Sequence, residues 1–267
     1  PMMTAHPGFD KISFTGSSAT GRKVMASAAE GLKRLTLELG GNDAAIVCAD
    51  VDVAATAQKL FWAAFTNSGQ VCIASKRVYI HEDVFEPMVE ALSALARAMP
   101  MGDGSQQGVA LGPIQNRLQY DRVRALLASS EKAGHRIVRG TAPEGEGYFV
   151  PATLVVDPPE DSPIVAQEQF GPVLPLLRWR DEADVIARAN ALDMGLAATI
   201  WTTDTDRALR IAGRLETGSV WINEFLAASP FTPFAGRKQS GVGVENGTEG
   251  LAAYTEPKTI SINRKRG

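Results

Sequence analysis

Lys11-Ile-Ser-Phe14 alternates apolar and polar residues and leads into the small, polar turn Gly16-Ser-Ser-Ala-Thr-Gly21 and an alanine-rich segment, Arg22 to Leu32. This order predicts a β-strand, a glycine turn and an α-helix. A doubly wound sheet needs further strands beside such a unit, and the residues before Phe9 provide none. We therefore expect residues 1–41 to be a remnant of a doubly wound α/β domain.

The alternation of strands and helices continues along the chain. Apolar runs predict strands at Leu35–Glu38, Ala44–Cys48, Arg77–Ile80, His135–Val138, Thr153–Val156, Val173–Trp179, Leu196–Trp201 and Ser219–Ile222. Helical spacing predicts helices at residues 52–65, about Glu82–Ala98, about Gln115–Lys132, Glu182–Leu192 and Asp206–Leu215. Such alternation predicts an α/β fold with an open, mostly parallel sheet, which we assign to one domain over residues 42–240.

The last part of the chain, residues 241–267, is predicted to be a separate C-terminal segment. The glycine- and proline-rich stretch 223–249 is too long for a loop that only joins two elements, and we expect it to line a site. Thr259–Asn263 predicts a terminal strand that would pair with a neighbouring subunit, giving a homo-oligomer. The basic cluster Arg264-Lys265-Arg266 is interpreted as a solvated tail.

The composition is that of an ordinary globular protein. The 267 residues are 45% hydrophobic and carry 27 Lys and Arg against 30 Asp and Glu, a net charge of −3. This balance argues against nucleic acid or an anionic membrane as a partner. No apolar run approaches the roughly 18 residues of a membrane span, and the N-terminus lacks an export signal. Three scattered histidines predict no metal site.

The two cysteines differ in their settings. Two cysteines exclude a disulfide framework and favour a reducing compartment, by default the cytoplasm. Cys48 closes an apolar run and is predicted to be a buried core residue. Cys72 follows the glycine-containing segment Asn67-Ser-Gly69, which could present its thiol to a cleft as a nucleophile. His81 is the histidine nearest to Cys72 in sequence, so a Cys-His hydrolase is the weaker alternative.

Two acidic residues and one glycine turn are candidates for a site, each with a structural alternative. Glu38 lies in an apolar strand, where burial would make it a general base; the alternative is an exposed strand glutamate. Glu168-Gln-Phe-Gly-Pro172 is either a binding clamp or a loop. Gly16 to Lys23 fails the phosphate-loop pattern, because Arg22 separates Gly21 from Lys23. The turn either contacts a phosphate through a helix N-terminus or simply joins strand to helix.

Taken together, seven segments in order resemble the NAD(P)-dependent aldehyde dehydrogenase superfamily, from about Phe9 to Ile262. They are Phe14-Thr-Gly-Ser17, Leu37-Glu-Leu-Gly-Gly41, Gly69-Gln-Val-Cys72, Glu168-Gln-Phe-Gly-Pro172, Gly218-Ser-Val-Trp-Ile-Asn223, Pro233-Phe-Ala-Gly-Arg-Lys-Gln-Ser-Gly241 and Tyr254-Thr-Glu-Pro-Lys258. Ala235, where the family usually has Gly, and Arg237 are small departures. The resemblance implies the catalytic domain of this family over residues 42–240, with residues 1–41 left from its cofactor-binding domain.

The resemblance also implies a role for each matching residue. Cys72 is the nucleophile that forms a thiohemiacetal and then a thioester, and Glu38 is the general base that activates the hydrolytic water. NAD or NADP is the implied cofactor and an aldehyde the implied substrate. The remaining implied roles are cofactor contacts by Phe14, Thr15, Gly16, Ser17, Leu39, Gly40, Glu168 and Phe170, substrate contact by Phe234, and a proton path through Glu245.

The family's N-terminal half has no counterpart before residue 1, and we expect this sequence to be a portion of a longer enzyme or a short gene product. That half carries most cofactor-domain strands and an Asn that stabilises the oxyanion, for which neither Asn67 nor Asn223 is an evident substitute. Residues 1–267 alone are therefore expected to show thiol chemistry and slow ester hydrolysis, with negligible aldehyde oxidation. The alternative functions are a non-catalytic oligomerisation or binding module and a thiol-dependent esterase.

Overall fold

The structure is a computed structural model that describes residues 2–143 and 145–264; Lys265 and Arg266 of the predicted tail lie outside the described residues. The helices are α1 (Met2–Ala5), α2 (Ser18–Ala29), α3 (Val53–Phe65), α4 (Phe85–Ala98), α5 (Arg117–Lys132), α6 (Pro163–Ala166), α7 (Glu182–Asn190), α8 (Thr205–Ala212) and α9 (Gly247–Ala252). The strands are β1 (Lys11–Thr15), β2 (Arg34–Glu38), β3 (Asp43–Val47), β4 (Ser75–His81), β5 (Arg136–Arg139), β6 (Thr153–Val156), β7 (Val173–Trp179), β8 (Met194–Gly195), β9 (Ala197–Trp201), β10 (Ser219–Ile222), β11 (Arg237–Lys238) and β12 (Gly241–Val242). Single 3-10 turns occupy Thr66–Gly69 and Glu82–Val84.

Seven strands form one large sheet in the order β10-β9-β3-β4-β7-β6-β5. Every neighbouring pair is parallel except β5 and β6, which confirms the predicted α/β class with a mostly parallel sheet. The exception has a local cause. Among the described residues between β5 and β6 there is no crossover helix, and the two strands pair antiparallel.

The large sheet is covered on both faces, as its run of apolar residues requires. Successive residues of β3 point to opposite faces, so Ile46 packs in one core and Val47 in the other. Helices α3 and α4 cover the Val47 face, while α5, α7 and α8 cover the Ile46 face. The result is a three-layer domain with helices on either side of the sheet.

A second, small sheet is built from the two ends of the sequence. Strands β1 and β2 pair in parallel, from Lys11↔Arg34 to Thr15↔Glu38, and β12 adds antiparallel to β2 with Gly241 opposite Glu38. Helix α2 packs on this sheet through Val24, against Ile12 and Leu37. The first residues of the predicted C-terminal segment therefore belong to the same sheet as the predicted remnant.

Several helix boundaries differ from the predicted ones because capping residues set them. Helix α2 begins at Ser18, inside the predicted turn, since the Ser17 side chain accepts a hydrogen bond from the backbone N–H of Thr20 at 3.3 Å. Helix α8 begins after Asp204, which caps Arg207 N–H at 2.9 Å. Helix α7 ends at Asn190, two residues earlier than expected.

One C-terminal prediction needs correction and another is left open. Residues 259–263, predicted to form a strand with a neighbouring subunit, are exposed and form no strand within the described part of this chain, so the pairing stays a prediction. The stretch 223–249, predicted as loop, contains β11, β12 and the start of α9. Within the described ranges, no helix is both long and apolar enough to cross a lipid bilayer.

Candidate active site

A cleft of about 860 Å³ opens beside the end of the small sheet. Its walls come from the turn after β1, the residues after β2, the segment after α3, helix α5 with the residues before it, and the loop after α6. The residues that line it are Thr15, Gly16, Ser17, Leu39, Gly40, Asn67, Gln70, Val71, Cys72, Pro113, Gln115, Asn116, Gln119, Arg122, Glu168 and Phe170. Eight of the twelve predicted site residues are among them, so the fold brings four separate sequence segments to one cleft.

Cys72 reaches the cleft through a turn with unusual backbone geometry. After α3 the backbone of Asn67 and Ser68 is left-handed, with φ of 52° and 56°, and Gly69 follows at φ 73°. A Cβ atom at Gly69 would lie 2.3 Å from the carbonyl oxygen of Gly171, so this position accepts only glycine. The turn therefore docks directly on the loop that carries Phe170, and Cys72 lies half-buried just beyond it.

The glycine pair after β2 is the point where Cys72 and Glu168 meet the small sheet. The N–H of Gly41 donates a hydrogen bond to Glu168 Oε1 at 3.1 Å. A Cβ at Gly40 would lie 2.5 Å from Glu168 Oε2, and a Cβ at Gly41 would lie 2.8 Å from the carbonyl oxygen of Cys72. The absence of side chains here allows the nucleophile segment and the acidic loop to pack against one backbone.

The loop bearing Glu168 is held by side chains that the sequence did not single out. Gln119 of α5 donates to the carbonyls of Gln169, at 2.7 Å, and Phe170, at 3.1 Å. Arg122 donates to the Glu168 carbonyl at 3.1 Å. These two residues lie about 50 positions before their partners, and nothing in the local pattern of either segment signals the contact.

Glu38 is a buried carboxyl at the end of β2. Only 3% of its surface is exposed, and neither side-chain oxygen has a hydrogen-bond partner among the described residues. Burial, reinforced by the nearby charge of Glu245, raises the pKa of Glu38 to about 8. The alternative of a solvent-facing strand glutamate is therefore wrong.

The two thiols have different surroundings. Cys48 is fully buried, as predicted, and burial raises its pKa to about 11. Burial also raises the pKa of the Cys72 thiol, but Lys76 and the backbone N–H of Ile73 oppose that shift. Of the two, Cys72 is the thiol with both access to the cleft and groups that favour its thiolate.

The match to known proteins decides the family. Residues 1–260 match the model of the family described as "Aldehyde dehydrogenase family". The chain belongs to the aldehyde dehydrogenase family. This result confirms the resemblance on which the site residues were assigned.

Individual aldehyde dehydrogenases agree with this assignment. A Pseudomonas sp. protein named "Probable aldehyde dehydrogenase" is 46% identical over 266 residues, which cover 99% of this chain and 54% of that protein. The Leishmania tarentolae "Aldehyde dehydrogenase, mitochondrial" is 43% identical, over 96% of this chain and 52% of that protein. A crystal structure of Mycobacterium tuberculosis aldehyde dehydrogenase complexed with NAD+ superposes with a TM-score of 0.93 at 37% identity, covering 99% of this chain and 55% of that one. The chain thus spans about half the length of these aldehyde dehydrogenases.

Besides the buried Glu38, three residues assigned from the aldehyde dehydrogenase motifs do not line the cleft. Phe14 packs with the small apolar core between α2 and β2, and its ring lies against Gly16. Phe234 and Glu245 face each other across a β-bridge, each donating its N–H to the other's carbonyl at 2.7 Å. The Glu245 carboxylate accepts a hydrogen bond from Ser13 at 2.9 Å, at the edge of the small sheet.

The two asparagines weighed as oxyanion donors, and the histidine of the alternative Cys-His hydrolase, are also accounted for. Asn67 lines the cleft and donates to the carbonyl of Gln70 at 3.2 Å. Asn223 holds the backbone of Thr202 through two hydrogen bonds, at 3.0 and 2.8 Å, in a structural role. His81 packs edge-on against Trp179 on the large sheet, so it is not a base for Cys72.

The cleft has features that fit a dinucleotide. Backbone N–H groups at the start of α2, a helix of 12 residues, adjoin Gly16 and Ser17 in its wall, which favours an anionic group. The Glu168 carboxylate lies in the same cleft, against Gly40. Within residues 2–143 and 145–264, no three His, Cys, Asp or Glu side chains are grouped so as to hold a metal ion.

Proposed function

We propose that this chain carries the reacting residues of an NAD- or NADP-dependent aldehyde dehydrogenase, with Cys72 as nucleophile and Glu38 as general base. One observation carries the proposal. Cys72 shares a single cleft with Thr15–Ser17, Leu39-Gly40 and Glu168, and Glu38 is the buried residue directly before Leu39 in the wall. The substrate is an aldehyde, and the product is the corresponding carboxylic acid.

The first step belongs to Cys72. Its thiolate adds to the aldehyde carbon, so a C–S bond forms and the electron pair of the carbonyl moves to oxygen. The backbone N–H of Cys72, which follows the left-handed turn at Asn67 and Ser68, would donate to that oxygen. The product of this step is the oxyanion form of a thiohemiacetal on Cys72, which needs no further proton transfer before it is oxidised.

Oxidation of the thiohemiacetal leaves a thioester on Cys72, and NAD or NADP, when bound, supplies the hydride acceptor for it. Gly16 and Ser17 would hold the pyrophosphate, Glu168 the nicotinamide ribose, and Leu39 with Phe170 the nicotinamide. Thr15 and Gly40 complete the wall.

The last step belongs to Glu38. Its carboxylate removes a proton from water, the resulting hydroxide adds to the acyl carbon, and the C–S bond breaks to release a carboxylic acid and the Cys72 thiolate. A pKa of about 8 suits this task, since the carboxyl can accept a proton near neutral pH and release it again. Glu245, whose charge acts on Glu38, would pass the proton onward, and Phe234 would contact the aldehyde.

The remaining assignments follow the same proposal. Residues 1–41 belong to the cofactor-binding domain, 42–240 to the catalytic domain and 241–267 to a C-terminal oligomerisation segment. The protein would be a cytoplasmic homo-oligomer.

The test is aldehyde-dependent NADH or NADPH production by the natural polypeptide that contains this sequence. Replacing Cys72 with Ser should reduce production to the background rate, whereas the control Cys48→Ala, in the core, should retain it. Hydrolysis of p-nitrophenyl acetate is measured alongside. Ester hydrolysis without NADH production would instead support the esterase. The absence of both activities would support the binding module.

A further inference from the structure

Lys76 is a buried lysine beneath the nucleophile. It lies in β4, four residues after Cys72, with only 3% of its surface exposed. Its Nζ donates hydrogen bonds to three backbone carbonyls of the segment that holds the thiol: Val71, Cys72 at 3.4 Å and Ala74 at 3.4 Å. The side chain therefore closes residues 71–74 into a loop around one nitrogen.

The three acceptors indicate the charged form of Lys76. An ammonium has three N–H donors and no acceptor, which matches three carbonyl oxygens. A neutral amine would turn its lone pair toward one of those oxygens. Although burial lowers the pKa of Lys76, the nearby charge of Glu168 opposes that shift, and the Phe170 ring lies 5.6 Å from Nζ. The three carbonyl acceptors thus place an ammonium behind the cleft wall.

The charged and polar groups around Cys72 come from three elements. Lys76 of β4 and the N–H of Ile73 favour the thiolate, whereas Asp43 of β3 and Glu168 disfavour it. Asp43 is 5% exposed, and burial raises its pKa to about 8, so it is mostly neutral at pH 7. The charge of Lys76 is therefore only partly offset by its neighbours.

We propose that Lys76 is a positioning residue for Cys72: its ammonium fixes the backbone of residues 71–74 and sets a positive charge next to the sulfur. This inference rests on the proposed role of Cys72 as nucleophile. Lys76 does not line the cleft and acts on the reaction only through the cysteine. It belongs to the strand after the nucleophile motif, outside every segment used to assign the site.

The test is the pH dependence of Cys72 alkylation by iodoacetamide in the natural polypeptide, followed by peptide mass spectrometry from pH 6 to 10. The variants are Lys76→Gln, which keeps N–H donors without charge, and Lys76→Met, which keeps neither. Lys59→Met is the matched control, because Lys59 is exposed on α3. Both Lys76 variants should raise the pH midpoint by about one unit or more, slowing alkylation at pH 7.5 about tenfold.

The outcomes distinguish a positioning role of Lys76 from a purely structural role. A purely structural effect would change the rate by the same factor at every pH and leave the midpoint within about 0.3 units of the parent value, which overturns the inference. Labelling of the buried Cys48 reports unfolding; if Lys76→Met unfolds, Lys76→Gln gives the answer. If both variants unfold, the Lys76→Arg variant is measured instead, because arginine retains the charge and the N–H donors. The inference is overturned if folded Lys76→Arg does not keep the parent's pH midpoint of Cys72 alkylation. If the parent Cys72 reacts no faster than Cys48, the proposed function itself fails.

Discussion

Replacing Glu38 with Gln should remove the pH dependence of thioester hydrolysis. With a pKa of about 8, the carboxyl is ionised to about a tenth at pH 7 and about nine-tenths at pH 9. Hydrolysis that needs the carboxylate as base should therefore accelerate about ninefold over this interval. The amide cannot accept the proton, so the variant should be slower by roughly 10²–10⁴ at pH 9 and nearly independent of pH.

The assay acylates Cys72 with p-nitrophenyl acetate and follows deacylation in a single turnover, which isolates the step assigned to Glu38. The exposed Glu90 of α4 provides the control variant Glu90→Gln, which should behave as the parent. Glu245→Gln should lower the midpoint, because the Glu245 charge is the second cause of the raised pKa, after burial. A parent midpoint near 4.5, or a Glu38→Gln variant that deacylates at the parent rate, would refute the reasoning.

The same pKa predicts how Glu38 affects stability. Between pH 4.5 and 8 the unfolded chain releases the proton that the folded chain retains, so the folded state binds more protons. The free energy of unfolding should therefore fall as pH rises, by up to about 1.4 kcal/mol per pH unit. Relative to the parent, Glu38→Gln should gain stability from pH 5 to pH 8 in urea unfolding, and a constant difference would contradict the assigned pKa.

Three further predictions concern the thiols, the glycine pair and the C-terminus. Iodoacetamide should label Cys72 at least tenfold faster than Cys48, whose thiol is fully buried; equal rates in peptide mass spectrometry would contradict this. Gly41→Ala should lower the free energy of unfolding in urea by about 1–3 kcal/mol and slow Cys72 labelling, because its Cβ would lie within 2.9 Å of three neighbouring atoms. The control Gly104→Ala, which has open space around its Cβ, should change neither quantity. Deletion from Thr259 onward removes the exposed Ile260 and Ile262 and should lower the molar mass of the assembly in light scattering. An unchanged molar mass would contradict the oligomerisation assignment.

Much of the fold could be predicted because its elements are set by local patterns. The strands Thr153–Val156, Val173–Trp179 and Ser219–Ile222 occur where the apolar runs predict them. Helix ends were less accurate, since a single capping side chain sets the first turn: with Ser17 as the cap α2 begins four residues before its predicted start, and with Asp204 as the cap α8 begins one residue before. Residues 259–263 show the limit: high β propensity forms a strand only where a neighbouring strand is available.

The site was predictable only where a motif carries its own signature. Cys72 and Glu168 come from such motifs, and the fold brings them to one cleft. Gln119 and Arg122 were missed because their hydrogen bonds reach a loop about 50 residues away. A helix surface with these polar residues looks the same whether it faces solvent or a binding loop.

Lys76 did carry a signal that could have been used. It lies at the buried start of β4, immediately after the nucleophile segment, and a lysine inside a covered sheet must be matched by carbonyls or carboxylates. Its burial raises the cost of holding charge, and the three carbonyl acceptors offset part of that cost. A solvent-exposed lysine at the same distance would be screened by water and would influence the sulfur far less.

Burial raises the pKa of the acids Glu38 and Asp43 and lowers the pKa of Lys76. These shifts affect the attack by Cys72 and the hydrolysis by Glu38 differently. Glu38 and Asp43 are held toward their neutral forms, with pKa values of about 8. Because Asp43 is largely uncharged at pH 7, the ammonium of Lys76 keeps its effect on Cys72. As pH rises above 8 both carboxyls ionise, which strengthens Glu38 as a base and weakens the electrostatic help that the thiolate receives. Attack by Cys72 and hydrolysis by Glu38 thus respond differently to the same ionisations, and the two steps can be separated by their pH profiles.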